Sequence, residues 1–330
     1  MKQRQLGKGG PMVGAIGFGC MSFAGFYGPT DKTEAHGALA RAFDLGLTHL
    51  DTAQIYGNGL SEEWIGDYLK ANPAARDTFV IATKGGIRTK PVRAFDNSPE
   101  YLRECLEGSL RRLGVDHVAL YYVHRRDQTI PIEDVTETLA GFIREGKIGA
   151  FGYSEIAPSS LERASAVHHV GAVQSEYSLW TRSPELGVIQ ACERLGTAFV
   201  PFSPLGRGVF GARPLDLAAL AENDFRRAGP RFMEPNFSAN EAKIAAFRAY
   251  AADNGWTPAA LAIAWTLAQG DHVIPIPGTR TAGHLEDFAA GASIELTQAK
   301  LDEIETVLPA GFAHGDRYND QQWVGPERYC

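Results

Sequence analysis

The chain has 330 residues, of which 44% are hydrophobic and 22% charged, enough apolar content to enclose a sizeable core as one large barrel or two ordinary domains. Its formal net charge is -7 with no long run of Lys or Arg, which argues against a general nucleic-acid or anionic-membrane binder but leaves room for a local basic pocket. No uninterrupted apolar stretch approaches the roughly 20 residues a membrane helix needs, and Met1-Lys2-Gln3-Arg4 leads into a Gly-rich turn with no signal-peptide pattern, so the expectation is a cytoplasmic protein with reduced thiols.

In chain order, residues 3–16 predict a small hairpin, with strands near 4–6 and 13–16 about the Lys8-Gly9-Gly10 turn. It is suited to plug the bottom of a barrel whose first strand ends near Gly19. The loop 22–30 carries Phe23, Phe26 and Tyr27, which either wall a pocket or pack beneath the loop. Strands and helices then alternate. Asp31 is placed to cap a helix through Leu45, with Ala35, Leu39, Ala42 and Phe43 on its apolar face. Strand 49–53 follows, then a helix from Ser61 to about Lys70, strand 79–84, and a helix opened by Ser98-Pro99 through Leu113. Strand 118–124, a helix near 132–145, strand 146–154, a helix from Pro158 to about His168, strand 172–177, helix 184–195 and strand 197–203 continue the pattern.

A connection running to about Asn240 is too long for an ordinary barrel loop and predicts a lid or clamp. A helix near 241–254 reads as an insertion. Thr257-Pro258 opens a helix through Gln269, and strand 273–278 with helix 281–290 completes an eighth unit. The tail 309–330, with Phe312, His314, Tyr318, Trp323 and Tyr329, is expected over the barrel mouth or along its side. The even rhythm predicts an α/β protein, a (β/α)8 TIM barrel with an N-terminal hairpin and long loops at the C-terminal face. No Gly-x-Gly-x-x-Gly stands between the first strand and the first helix, and no linker interrupts the chain, so residues 1–330 read as one domain. Cys20, Cys105, Cys192 and Cys330 lack the spacing of a zinc knuckle or a Cys-x-x-Cys pair; being even in number they either include a disulfide or, as in a cytosolic enzyme, stay reduced.

Three successive strands each deliver a proton-active group at the C-terminal end. His49-Leu50-Asp51 leads to Tyr56, Phe79–Thr83 ends on Lys84, and Val118–Val123 ends on His124. In a parallel α/β barrel that end carries the catalysis. Taken singly, the four are a capping Asp, a rim Tyr, a surface Lys and a core His. Recurring in one position, Asp51, Tyr56, Lys84 and His124 predict a tyrosine acid tuned by a lysine and a histidine. His168-His169 is a poor metal pair, because adjacent residues on a helix point apart, and no metal site is predicted.

These residues resemble the aldo-keto reductases. The matches are Asp51–Gly57, Ala82-Thr83-Lys84, Tyr121-Tyr122-Val123-His124, Gly152-Tyr153-Ser154, Gln174–Ser178, Phe202–Gly208 and Ile276–Arg280, in the family's order over nearly the whole chain. His124-Arg125-Arg126-Asp127 is similar to the bacterial and plant subgroup related to potassium-channel β subunits. The resemblance implies NADPH extended across the C-terminal face of the barrel and reduction of a carbonyl to an alcohol. Tyr56 would then be the proton donor, Lys84 would lower its pKa, Asp51 would hold Lys84, and His124 would orient and polarise the substrate oxygen.

The resemblance also assigns cofactor positions. Ser154 and Gln174 match those that hold the nicotinamide carboxamide. Glu155 stands where the family has asparagine, and is either a poor amide contact or a solvated turn residue. Phe202 matches a ring that stacks on the nicotinamide, or is core. Gly206, Arg207 and Gly208 fall where relatives cradle the pyrophosphate, with Arg207 supplying charge, and Gly19, Cys20, Met21, Ser203 and Leu205 also match cofactor-facing positions. Gly278, Thr279, Arg280, His284 and Asp287 match the adenine end, with Phe288 where many relatives have asparagine. Arg280 reads the 2′-phosphate of NADPH, or is a surface arginine paired with Glu286 or Asp287. The substrate would be a small carbonyl compound contacted by loops near Phe26, Arg125, Trp180 and the tail. Arg125 and Arg126 either favour an anionic substrate, pair with Asp127 and Glu176, or face solvent. The other functional class is a cofactor-loaded regulatory subunit resembling the channel β subunits; a metal-dependent hydrolase lacks its ligand cluster. No nucleic-acid or membrane partner is expected, and oligomeric state is not indicated.

Overall fold

The computed structural model describes residues 1–222 and 224–328. Strands β1 (Gln3–Gln5) and β2 (Met12–Gly14) pair antiparallel with Arg4 opposite Val13. β3 (Phe18–Gly19) runs into a 3-10 turn, Cys20–Ala24. Asp31 accepts a hydrogen bond from the Glu34 N–H at 2.9 Å and starts α1 (Lys32–Leu45), as the sequence predicts. Then come β4 (His49–Asp51), α2 (Leu60–Ala71), a short α3 (Pro73–Thr78) and β5 (Val80–Gly85). A small hairpin, β6 (Ile87–Arg88) with β7 (Ala94–Phe95), precedes α4 (Pro99–Leu113), whose Leu102, Leu106, Leu110 and Leu113 are all buried. β8 (Val118–Val123), α5 (Ile132–Arg144), β9 (Ile148–Ser154), α6 (Pro158–Val167) and β10 (Ala172–Glu176) follow. The chain continues through α7 (Val188–Leu195), β11 (Ala198–Phe202), α8 (Asn236–Asp253), α9 (Pro258–Leu267), α10 (Ala282–Gly291) and α11 (Gln298–Val307).

The parallel sheet runs β3-β4-β5-β8-β9-β10-β11. The closing strand, 273–278, completes the barrel through single bridges, Phe199 with Val273, Phe202 with Ile276 and Gly19 with Gly278. Its sequence explains why it forms no continuous ladder. Ile274 and Ile276 donate to Phe199 and Pro201 on one side, while on the other Pro275 and Pro277 only accept, from Gly17 and Gly19, because proline has no N–H. Gly19 is required at this seam: a Cβ there would lie 2.8 Å from the Ile276 carbonyl oxygen.

The hairpin fills the bottom of the barrel. Leu6 and Val13 are buried in the same cluster as Ala82, Leu120, Ala172, Val200 and Ile276 from the strands. Arg4 donates to the carbonyls of Gly270 at 2.8 Å and Leu267 at 2.9 Å, and to that of Val273. It thereby satisfies backbone acceptors at the end of α9 and the start of the closing strand. The larger core lies between the strands and the surrounding helices.

Several elements differ from the expectation. The helix expected over 184–195 is a 3-10 turn, Ser183–Leu186, and then α7, because Gly187 at φ 148° breaks the path. The inserted helix starts at Asn236, so the connection after β11 is shorter, and it contains 3-10 turns at Gly206–Gly208, Phe225–Ala228 and Pro230–Phe232. The short α3, the β6–β7 hairpin and α11 were not anticipated. Of the two tail paths, the chain takes the one over the mouth: Arg317 is buried there, and Tyr318 and Gln322 face the cleft. Tyr329 and Cys330 lie outside the described residues; Cys20, Cys105 and Cys192 are buried free thiols. Among the described residues, no helix is long and apolar enough to cross a membrane.

Candidate active site

Strand register brings the predicted quartet together. Asp51 lies opposite Ala82 on β5, and Lys84 opposite Tyr122 on β8, so the strand ends are level. The Lys84 ammonium, fully buried, donates to the Asp51 carboxylate, to the Thr52 carbonyl at 2.8 Å and to the Tyr56 hydroxyl at 3.4 Å. It also sits 5.1 Å from the centre of the Tyr56 ring. Tyr56 is carried on a tight turn in which Gly57 and Asn58 both have positive φ. That turn is tied down by the Thr52, Ser61 and Cys20 hydrogen bonds at 2.9 and 3.0 Å. The His124 ring stands edge-on to Tyr56, with centroids 5.8 Å apart.

Burial and charge set the protonation states. Burial pushes the Tyr56 phenol above its ordinary value, and Lys84 only moderates that rise. The expected net lowering by Lys84 is therefore corrected: desolvation of a phenolate outweighs the nearby ammonium. Burial would neutralise Lys84, but Asp51, followed by Tyr56, outweighs it and holds the amine more strongly protonated than usual. Burial, then the Lys84, Arg125 and Arg93 charges, depress His124 well below the usual imidazole range, so it is neutral at pH 7. Its Nδ1 is buried with no hydrogen-bond partner among the described residues.

Tyr56 and His124 open on a cleft of about 730 Å³ that crosses the C-terminal face of the barrel. Asp51, Gly19, Met21, Ser154, Gln174, Phe202, Ser203, Leu205, Arg207, Gly208, Gly278, Thr279, Arg280, His284 and Asp287 all line it. Three predicted residues do not. Lys84 stands behind Tyr56, Gly206 is buried in the turn at φ 57°, and Cys20 is fully buried with its carbonyl holding Ser61. Burial pushes the Cys20 thiol well up. At the far end Thr279 Oγ1 lies 2.9 Å from His284 Nδ1, and Arg280 donates to the Pro29 carbonyl. The alternative pairing of Arg280 is not formed: Glu286 pairs with Arg41 at 2.8 Å, and among the described residues no carboxylate pairs with Arg280.

The sequence model of the Aldo/keto reductase family matches residues 15–309. This chain belongs to the aldo/keto reductase family. It is 39% identical over 317 residues to "Probable aldo-keto reductase 1" of Glycine max, covering 95% of this chain and 91% of that one. It is 38% identical over 316 residues to "Aldo-keto reductase yakc [NADP(+)]" of Schizosaccharomyces pombe, covering 94% and 93%. Among solved structures it is similar to the glycerol dehydrogenase AKR11B4 from Gluconobacter oxydans, with a TM-score of 0.82 at 26% identity over 90% of this chain and 92% of that one. It also matches aldo-keto reductase AKR11C1 from Bacillus halodurans, with a TM-score of 0.78 at 27% identity over 98% and 99%. The fold is thus the (β/α)8 TIM barrel of this oxidoreductase family.

Beside the quartet, this aldo/keto reductase holds a second polar cluster. Glu155, at φ 59° directly after Ser154, is fully buried and is neither a solvated turn residue nor free to meet an amide. Both its oxygens accept from Arg317, one at 3.0 Å, and Oε1 also accepts from the Glu176 N–H at 2.8 Å. Burial would raise its pKa; Arg317 and then Arg125 outweigh that and lower it. Arg207 donates to Glu176 at 2.6 Å and to the Arg317 carbonyl at 3.1 Å. Its charge is thus paired within the protein while it lines the cleft at the position expected of a pyrophosphate cradle. Arg125 donates to Ser154 Oγ at 2.8 Å, and Arg126 pairs with Glu327 at 3.2 Å, so neither takes the expected partners Asp127 and Glu176. Trp180 packs against Phe210 and Phe232, away from the cleft.

Arg93, Phe225, Arg226 and Gln322 also line the cleft and were not anticipated. Their positions depend on the path of irregular segments, where no periodicity signals them. Tyr27 does wall the pocket, meeting Phe225 edge-on at 5.2 Å and lying under Arg226 at 5.0 Å.

Proposed function

We propose that this protein is an NADPH-dependent carbonyl reductase in which Tyr56 donates the proton. The single observation that carries the reading is the Tyr56 hydroxyl, open to the cleft on one side and bonded to the buried Lys84–Asp51 pair on the other. The residues present fit a nicotinamide dinucleotide phosphate. Gln174 donates its NH2 to Asp51 at 2.8 Å, leaving its carbonyl to accept, while Ser154 accepts from Arg125 and keeps its O–H to donate. One acceptor and one donor complement a primary carboxamide. Phe202 offers a ring face, Asp287 an acceptor, and Arg280 with Thr279 and His284 a cationic end for a phosphate. The relative named for NADP(+) supports the same cofactor.

When bound, the reduced nicotinamide supplies the hydride. The chain's own groups do the rest. Neutral His124 orients the carbonyl oxygen, and Tyr56 delivers its proton to that oxygen as negative charge develops there. Lys84 stabilises the phenolate left behind, and Asp51 keeps Lys84 charged and in place. The relatives' names, reductases and a glycerol dehydrogenase, support catalysis over a purely regulatory role. The test is NADPH oxidation with a panel of aldehydes and ketones, alongside Tyr56→Phe. The variant should keep its NADPH affinity and lose most turnover, by about 100-fold or more. Near-wild-type reduction by folded Tyr56→Phe would remove Tyr56 from the role.

A further inference from the structure

Glu155 stands one residue beyond Ser154 at the mouth of the cleft, in a backbone conformation that a non-glycine residue rarely adopts. Such conformations persist where the surroundings over-determine them, and they cluster at functional sites. The surroundings here are the C-terminal tail. The Glu155 carboxylate accepts from the two terminal guanidinium nitrogens of Arg317, and its backbone carbonyl accepts from the Glu327 N–H at 2.8 Å. One residue therefore grips the span 317–327 at both ends. Glu327 adds Arg126 at 3.2 Å and the Ala157 N–H at 2.8 Å.

Between these anchors the span faces the site. Tyr318 and Gln322 line the cleft, and Gly325, at φ 121°, lies against Phe95 and Arg125. Arg125 in turn lines the cleft beside His124. The Arg317 guanidinium packs against a pair of rings, 4.8 Å from the centre of Tyr318 and 4.9 Å from that of Trp323, which themselves meet edge-on at 5.5 Å. Arg317 is 3% exposed and Glu155 fully buried. A buried ion pair adds little net stability over an apolar substitute, and its best-attested use is to specify one arrangement.

We propose that Glu155 is a positioning residue which, through Arg317, fixes the span 317–327 as the wall of the carbonyl-substrate end of the cleft and so sets substrate affinity. The inference rests on the reductase reading. It assigns Glu155 to the tail and not to the cofactor amide. Through Glu176 and the Arg317 carbonyl, Arg207 joins the segment after β11 to the same wall.

The experiment compares wild type with Glu155→Gln, Arg317→Met, the double variant and Arg317→Lys. Steady-state NADPH oxidation with 4-nitrobenzaldehyde gives KM and kcat, a fluorescence titration gives the NADPH Kd, and hydrogen exchange reports on residues 314–328. Each single variant should raise KM by about tenfold, the scale of a lost charge-assisted contact, with a smaller change in kcat and in the NADPH Kd. Exchange across 314–328 should quicken in both. The double variant should be no worse than the weaker single, because the two side chains act as a unit. Arg317→Lys, which keeps one contact, should fall between.

Wild-type KM and wild-type tail exchange in folded Glu155→Gln and Arg317→Met would overturn the proposal. So would a loss of NADPH affinity in Glu155→Gln alone, which would mark Glu155 as a cofactor contact. If wild type does not reduce carbonyls at all, the reductase reading fails. The exchange data then still decide whether Glu155 holds the tail.

Discussion

At Tyr56 two opposed influences meet. Burial disfavours the phenolate and Lys84 favours it, and burial wins, so the phenol stays protonated beyond its ordinary range. Carbonyl reduction uses the protonated form. As pH rises, activity is lost only on passing through the folded-state pKa, which lies above the usual value. The kcat/KM for reduction should therefore be flat from about pH 7 to about pH 10 and fall above that. His124, held neutral, adds no acid limb near neutrality. A descending limb centred near about pH 8 would show that another group, or a phenol more acidic than this site provides, controls the step. At the opposite end, Arg280 lines the cleft and is the cation proposed for a 2′-phosphate. Arg280→Ala should weaken NADPH binding by about 1.5–3 kcal/mol, roughly tenfold or more, and leave NADH binding nearly unchanged. Added salt should narrow the wild-type preference. Equal losses for both cofactors in direct titrations would refute this assignment.

At the scale of elements, the segment between β11 and α8 bridges the cleft. Phe225 and Arg226 reach Tyr27 on the facing loop, and Arg226 is held by Asp224 and by the Arg207 carbonyl at 3.1 Å. The segment has 3-10 turns and exposed stretches, the profile of a region that opens locally. Saturating NADPH should slow hydrogen exchange over residues 204–235, more than over α5 or α6 on the barrel's outer ring. Unchanged exchange would mean that the segment is an insertion with no part in holding cofactor. The length of this connection was readable in the sequence, and so were its Gly206 and Gly208. The partners of Arg207 were not, because Glu176 and Arg317 reach it from other strands and from the tail.

For the molecule as a whole, the barrel has a dry end and a chemical end. The hairpin seals the first with Leu6 and Val13, and Arg4 stitches it to α9 and the closing strand. Leu6 is 3% exposed, so Leu6→Ala should cost about 2–5 kcal/mol in urea unfolding. KM should change little, since the hairpin is at the opposite end from the cleft. A loss below about 1 kcal/mol would show that the hairpin is not part of the barrel core.

The alternation of apolar runs with capped amphipathic helices determined the barrel, because each run's length and period is a local property of the chain. The quartet was legible for the same reason. Asp51, Lys84 and His124 each end or follow an apolar strand, and register in a parallel sheet makes strand ends neighbours. The closing strand, expected as an ordinary strand over 273–278, instead has a broken ladder, because Pro275 and Pro277 lack N–H groups. What the tertiary structure decided was the pairing of groups far apart in sequence. Glu155 and Arg317 are 162 residues apart and meet only because the tail crosses the barrel mouth. Trp180 looked like a pocket residue and is core, because Phe210 and Phe232 close over it. The sign of the Tyr56 shift also lay beyond the sequence. Residue type supplies the lysine, but only the fold sets how completely the phenol is removed from water.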